Sequence, residues 1–340
     1  MVRYDYAMRR FIFILLALAV LVVVWKSRTG FTPSSVTPPQ PVTPSSSAVF
    51  ASGYHYLSLQ HGGLVRTYGF YVPTSYDGKR SLPAIIVFHG GGAEALGTHK
   101  GTCPDNTIGN PGCFSSLADH EGFFLLYPEA IDKTWNDGRD IVRHVAVKNV
   151  DDMGFVKKML GEVAAQVSLD VKRVYATGIS NGGLISFRMA CEHADTVAAI
   201  VPIAGSMGLN WAGGACKPSR AVSILMMNGD NDFIAATDKA HRLNVADTLT
   251  EWARINGCIG SPTITSLPDT DPNDGTTVVR TAYTNCKSGS EVASYLIKNG
   301  GHTWPGGYQY LGERLIGKTT RDISANEEMW KFFRAHPIRN

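Results

Sequence analysis

Ser180, Asp232 and His302 are the residues whose types, order and surroundings could do chemistry in this sequence. A serine hydroxyl is a poor nucleophile at neutral pH. It needs a base to take its proton, and the base needs a carboxylate to hold its tautomer and stabilise its cation. Ser180 lies in Gly178-Ile179-Ser180-Asn181-Gly182, a G-x-S-x-G pentapeptide. At a sharp strand-to-helix bend such a pentapeptide projects the serine from a sheet edge. The flanking glycines leave room where a side chain would meet neighbouring backbone. Context supplies the specificity that the pentapeptide lacks alone. Val174 and Tyr175 precede it in a β-forming run, and Leu184, Phe187 and Met189 follow at helical spacing.

His302 stands in Gly300-Gly301-His302-Thr303-Trp304-Pro305-Gly306-Gly307, a loop shaped to present one imidazole. Asp230, Asp232 and Asp238 all follow the apolar run Val222–Met227. Asp232 is preferred as the acid, because a few loop residues are needed to turn a carboxylate back towards the histidine. Asp230 remains the alternative, with turn chemistry in Asn-Gly-Asp-Asn as its plain reading. The chain order serine, acid, histidine is that of α/β-hydrolase sheets. His89-Gly90-Gly91-Gly92 ends an apolar strand, and its glycines let backbone N–H groups approach a substrate oxygen. Gly91, or a neighbour, and the N–H of Asn181 are the expected oxyanion donors. A phosphate-cradling loop is excluded by the missing Gly-Lys-Ser/Thr ending.

Other candidates are weaker. Trp135, Trp304, Phe233 and Tyr127 lie near expected strand ends and read equally as an apolar substrate pocket or as core; Trp135 and Trp304 are the substrate-binding candidates. Asp151 and Asp152 could suggest a metal or acid/base pair, but acidic residues opening a helix cap free N–H groups. The remaining histidines, His55, His61, His99, His120, His144, His193, His241 and His336, read as surface or packing residues.

The positioning elements follow from periodicity. Tyr54–Gln60 and Leu64–Val72 around a Gly-Gly turn predict a hairpin. Ala84–Phe88, Phe123–Tyr127, Val197–Ile203, Val222–Met227, Val278–Tyr283 and Val292–Ile297 predict strands. Asn149–Val167, the stretch after Ser180, Lys239–Asn256 and a capping-box segment from Ser324 to about Ala335 predict helices, Phe114–His120 a short one, and Gly97–Gly112 a loop. Strands alternating with helices imply a mostly parallel sheet with helices on both faces, and with the order serine, acid, histidine this matches an α/β-hydrolase fold. Ligands then sit beyond the carboxyl ends of the strands, where His89, Ser180, Asp232 and His302 fall.

The chain has 340 residues and a net charge of +3 without a basic cluster, so nucleic acid is not an expected partner. Arg3, Arg9 and Arg10 precede an apolar run from Phe11 to Trp25, followed by Lys26 and Arg28. Residues 1–30 therefore read as a signal peptide or an uncleaved membrane anchor. The anchor is favoured, because no small-x-small cleavage pattern closes the run, and an N-in orientation would put the rest outside the cytoplasm. Residues 31–50, rich in Pro, Ser and Thr, read as a disordered linker, and 51–340 as the expected catalytic domain. Six cysteines, all after Gly101 and without Cys-x-x-Cys, read as disulfides and not as a zinc or redox motif. Proximity suggests Cys103 with Cys113, Cys191 with Cys216, and Cys258 with Cys286.

With these residues assembled, the chain resembles the polyhydroxybutyrate depolymerase and feruloyl esterase-like family of extracellular α/β-hydrolases. The resemblance rests on Ile86-Val-Phe-His-Gly-Gly-Gly92, Val150-Asp-Asp-Met-Gly-Phe155, Arg173-Val-Tyr-Ala-Thr-Gly-Ile-Ser-Asn-Gly-Gly183, Gly301-His-Thr-Trp-Pro-Gly-Gly307 and the cysteine of Trp252-Ala-Arg-Ile-Asn-Gly-Cys258. It implies a serine-type carboxylic ester hydrolase with no metal or cofactor, working through an acyl-enzyme, with Ser180 as nucleophile, His302 as base and Asp232 as acid. The family's His-Gly-x-x-Asp is here Asn228-Gly229-Asp230-Asn231-Asp232, which keeps Asp230 open. The membrane segment is a second departure, and no polymer-binding domain follows, which speaks against solid polyester as substrate. Feruloyl, acetyl and hydroxyalkanoate esters, small or polymeric, all fit. A serine peptidase on the same fold and a tethered non-catalytic binding protein are the rival readings.

Overall fold

Short, mainly apolar runs suit strands covered on both faces, and six strands with such a run form the parallel centre of one sheet. The computed structural model describes residues 50–139, 147 and 149–339. Contacts divide the chain into Met1–Gln40 and Pro41–Asn340, and the described residues belong to the second unit. The expected membrane segment and nearly all of the linker lie outside the described residues, among which no helix is long and apolar enough to cross a membrane.

The strands are β1 (Gly53–His61), β2 (Leu64–Val72), β3 (Leu82–Phe88), β4 (Phe124–Pro128), β5 (Leu169–Ile179), β6 (Ala199–Ile203), β7 (Ser223–Gly229), β8 (Thr263–Ser266), β9 (Thr277–Tyr283) and β10 (Val292–Lys298). Their spatial order is β1-β2-β4-β3-β5-β6-β7-β10-β9-β8. Neighbours from β4 to β10 run parallel, and antiparallel pairs close each edge. The period of two divides the side chains between two cores. Ile86, Phe88, Ile224 and Met226 enter one, where they meet Phe155 and Met159 of α3 (Asp152–Ala164), Ile185 and Phe187 of α4 (Asn181–Glu192) and Trp252 of α6 (Val245–Ile255). Ile85, Val87, Leu225 and Met227 enter the other, under Phe114 of α2 (Phe114–Glu121) and Met329 and Phe333 of α8 (Ala325–Ala335). Three short helices, α1 (Ala95–Gly101), α5 (Phe233–Ala236) and α7 (Glu313–Ile316), border the carboxyl end of the sheet. Disulfides join Cys103–Cys113, Cys191–Cys216 and Cys258–Cys286, the pairings suggested by proximity.

The structure departs from expectation where the local pattern is weak. α1 lies partly within the expected Gly97–Gly112 loop, because two of its seven residues are glycine and mask its helical tendency. The helix expected over Lys239–Asn256 starts only at Val245, where the Asn244 side chain accepts the Asp247 N–H. Strand β8 was not expected; all four of its residues are exposed, so no apolar alternation marks it.

Asp151 and Asp152 also divide. Asp151 caps α3, accepting the Gly154 N–H at 2.8 Å. Asp152, instead of facing water, is fully buried against Arg66 (2.7 Å), and its other oxygen takes the Asn136 N–H at 2.8 Å. Burial pushes the Asp152 carboxyl up against the pull of Arg66. Arg66 also stacks 4.0 Å over the Phe155 ring. Removing one partner strands the other charge in the core, so Arg66→Ala is expected to cost about 3–5 kcal/mol. Urea unfolding followed by fluorescence measures this; a loss under about 1 kcal/mol would mean that water reaches Asp152.

Candidate active site

Ser180 sits between β5 and α4 with φ 57° and ψ −120°, a region that side-chain-bearing residues rarely occupy. Its N–H donates to the Ile203 carbonyl at 2.9 Å, which ties the bend to β6. The two glycines of the pentapeptide are required by close approach to β3. A Cβ on Gly178 would lie 2.5 Å from the Phe88 oxygen, and one on Gly182 would run into the carbonyls of Phe88 and His89. The bend is thereby pressed against the root of the His89–Gly92 loop.

His302 follows β10. Its Nδ1 lies 2.7 Å from Asp232 Oδ2, with side-chain exposures of 5% and 4%. A carboxylate only accepts, so the proton of the neutral ring is on Nδ1 and Nε2 is left as the basic nitrogen. The backbone holds the ring in place: the His302 N–H donates to Ile316, and its carbonyl accepts the Tyr310 hydroxyl at 2.9 Å. Burial, with the Asp232 charge, pushes the Tyr310 phenol up to about 12, so it stays a donor. Asp232 is itself held by the Ala235 N–H at 2.7 Å, as N-cap of α5. Asp230 is engaged elsewhere, accepting the Asn299 N–H at 2.7 Å and facing Lys298 at 3.3 Å. The histidine therefore meets Asp232 and not Asp230. A Cβ on Gly229 would run into the Gly300 carbonyl, and this contact lets the loops after β7 and β10 converge.

In the glycine loop, Gly92 gives its N–H to Lys133 at 2.8 Å and Ala93 to Gly90 at 3.0 Å, so those two donors are used by the turn. Gly91 faces Asn181, whose N–H belongs to the first turn of α4, where helix geometry supplies no partner. His89 stands behind the loop. The Gly90 carbonyl can only accept and the Ala130 N–H can only donate, so Nδ1 carries the proton and Nε2 is bonded at 3.0 Å. Burial lowers its pKa to about 4.

Trp135 requires a correction. It does not line the cleft but is fully buried beneath it. Its indole N–H donates to the His89 carbonyl at 2.9 Å, and its ring lies 4.8 Å from the His89 ring. Its backbone N–H goes to Asn181 Oδ1 at 2.8 Å. A large apolar body with one reachable acceptor is satisfied better there than on a wet wall. Tyr127 is likewise buried in the sheet core, and Phe233 is half exposed beside the cleft but not on its wall.

A cleft of about 810 Å³ opens over Ser180, Asn181, Gly91 and His302. Trp304 lines it, with Ile234, Tyr308, Tyr310 and Leu311, and a Lys133–Glu94 ion pair (2.6 Å) stands at its rim. Tyr308, Tyr310 and Leu311 were missed in sequence reading; their only signal was aromatic content just after the His302 loop. Asp137 and Arg139 were missed too. Asp137 accepts from Asn181 Nδ2 at 2.6 Å and pairs with buried Arg139, which also meets Asp238. The third aspartate after β7 is thus part of a support beneath the cleft.

No family model matches the chain. Among curated proteins it is 26% identical over 260 residues to a putative esterase, NocK, of Nocardia uniformis subsp. tsuyamanensis, covering 71% of each chain. It is 26% identical over 241 residues to feruloyl esterase B of Piromyces equi, spanning 68% of this chain but 41% of that protein. Feruloyl esterase D of Neurospora crassa is 24% identical over 276 residues, covering 80% of this chain and 82% of its own. The chain is thus similar in sequence to carboxylic ester hydrolases, two of them feruloyl esterases. An acetyl xylan esterase from Aspergillus awamori has the same fold, with a TM-score of 0.51, 14% identity and coverage of 79% of this chain and 94% of that one.

Behind the glycine loop of this chain lies a second titratable group. Glu129 accepts the Ala95 N–H at 2.8 Å and lies 3.6 Å from His89 Nε2; burial raises its pKa to about 7. The folded protein keeps the Glu129 proton to about pH 7 while the unfolded chain releases it near 4.5, so its contribution to stability falls as pH rises through that window. His89 acts oppositely, at about 4 folded against 6.5 unfolded, so its contribution grows with pH over that range. Glu129→Gln removes the first effect and leaves the second. Its melting temperature relative to the parent is expected to rise from pH 5 to pH 8 in calorimetric scans; a pH-independent difference would mean that Glu129 is solvated.

Proposed function

We propose that this carboxylic ester hydrolase works through Ser180, His302 and Asp232 by way of an acyl-enzyme. The observation that carries the reading is the 2.7 Å contact from His302 Nδ1 to Asp232, which frees Nε2 towards the cleft that Ser180 also lines. His302 takes the Ser180 proton as the hydroxyl attacks the ester carbonyl. Asp232 holds the ring and stabilises its cation. The N–H groups of Asn181 and Gly91 receive the oxyanion. The protonated histidine then protonates the leaving alcohol, and water activated by His302 clears the acyl group.

The acyl group packs on Trp304, between Ile234 and the Tyr308–Leu311 wall. That apolar and aromatic lining favours an aromatic acid such as a feruloyl group over a short hydroxyalkanoate, and feruloyl esterases among the relatives support the same choice. Three disulfides support placement outside the cytoplasm.

The test is turnover of p-nitrophenyl acetate and butyrate by the purified protein, with and without a serine-directed phosphonate, read by intact mass. Activity lost on one phosphonyl addition at Ser180 is the expected result. Folded protein with neither turnover nor adduct would overturn the reading. Methyl ferulate and hydroxybutyrate esters, compared by kcat/KM, then decide the acyl class, with ferulate expected to lead.

A further inference from the structure

The amino ends of the parallel strands, opposite the cleft, hold a small cavity of about 70 Å³ that the ester chemistry does not use. Ser223 opens β7, Ser288 and Ser290 precede β10, Arg220 precedes β7, and His336 and Arg339 follow α8; all line it. The two guanidiniums form no ion pair with a carboxylate among the described residues. Of the acids on this side, Asp195 attracts Arg220 without forming an ion pair with it, and Glu291 is taken by Arg280 at 2.5 Å and also faces His336 Nε2 at 3.6 Å. His336 is pinned through Nδ1 to the Phe332 carbonyl, and burial lowers its pKa.

Arg220 is built in. Nη1 donates to the Ala221 carbonyl at 2.8 Å, and Nη2 to the carbonyls of Val197 and Ala198. Its Nε is buried and has no acceptor among the described residues. A buried guanidinium N–H without an acceptor costs free energy that an anion would recover. Ser223 uses its oxygen to accept the Glu291 N–H at 3.0 Å, which leaves its hydroxyl proton to donate. Gly289 has φ 66°, and a Cβ there would lie 2.9 Å from Arg339 Nη1. The glycine thus lets the Arg339 guanidinium close over the loop.

We propose that this cavity binds one small tetrahedral oxyanion, phosphate or sulfate, between Arg220 and Arg339. The volume admits a single such group and excludes a sugar ring or a nucleoside. The two guanidiniums are donors only and the Ser223 hydroxyl can turn to donate, which matches an acceptor-only ligand; the Ser290 hydroxyl donates to the Lys287 carbonyl at 2.9 Å. Bound there, the anion links the segment after α8 to the ends of β6, β7 and β10, and stabilises the fold by mass action.

The test uses the full chain. Melting temperature and calorimetric titration are measured with sodium phosphate, and separately with sodium sulfate, against sodium chloride at equal ionic strength. At ten times Kd the melting temperature is expected to rise by about 3 °C over the chloride control. Arg339→Gln is expected to weaken binding by about tenfold or more while ester hydrolysis stays at the parent rate. Arg220→Gln should abolish binding; because that side chain also holds three carbonyls, Arg339→Gln is the deciding variant. Equal shifts in chloride, or an Arg339→Gln protein that binds as tightly as the parent, would overturn the proposal. A response to phosphate alone or to sulfate alone supports it and names the anion. None of these outcomes depends on the ester reading.

Discussion

Ser180→Ala is expected to lower kcat for p-nitrophenyl butyrate by roughly 10⁴–10⁶-fold, the loss seen when the nucleophile of a serine hydrolase is removed. Folding should survive. The Ser180 N–H bond to Ile203 is a backbone contact and remains in the variant. Serine and alanine have similar difficulty at φ 57°, so the strain at the bend is almost unchanged. Melting temperature should therefore stay within a few degrees of the parent while the phosphonate adduct disappears. Turnover retained above a tenth of the parent rate would remove Ser180 from the chemistry and with it the acyl-enzyme.

Asp232→Asn comes next in size, at roughly 10³–10⁴-fold in kcat. An asparagine at 232 can still accept the Ala235 N–H, so the cap of α5 is kept. It can also turn its NH₂ towards His302 Nδ1. That favours the tautomer with its proton on Nε2, which cannot take a proton from serine. Asp230→Asn should change kcat less than about threefold, since that carboxylate faces Asn299 and Lys298. The two variants are compared by kcat against pH on the same ester. If Asp230→Asn is the more damaged, the acid is reassigned and the loop after β7 must rearrange when substrate binds.

The two aspartates show how far sequence reading reaches. Both lie just past β7, two residues apart, and only the position of the β10 loop distinguishes them. Trp135 teaches the same lesson from the other side. An aromatic near a strand end can face a cleft or the core, and the choice was made by the His89 carbonyl, which lies 46 positions earlier in the chain. Arg66 and Asp152, separated by 86 positions, are charged residues that a sequence reading assigns to the surface; each is buried only because the other is there.

What the sequence by itself determined is whatever local sterics and periodicity encode. These are the G-x-S-x-G bend, the apolar strands of the parallel centre, the capped helices and the order in which Ser180, Asp232 and His302 follow one another; proximity only suggested the disulfide pairs, which the fold selects. Tertiary structure alone decided which carboxylate meets His302, that Trp135 supports the glycine loop from below, that Tyr308, Tyr310 and Leu311 wall the cleft, and that Arg220 and Arg339 share one cavity. Each of these is a contact between segments far apart in the chain. Its geometry is set by how strands and loops pack, and no short stretch of residues carries that information.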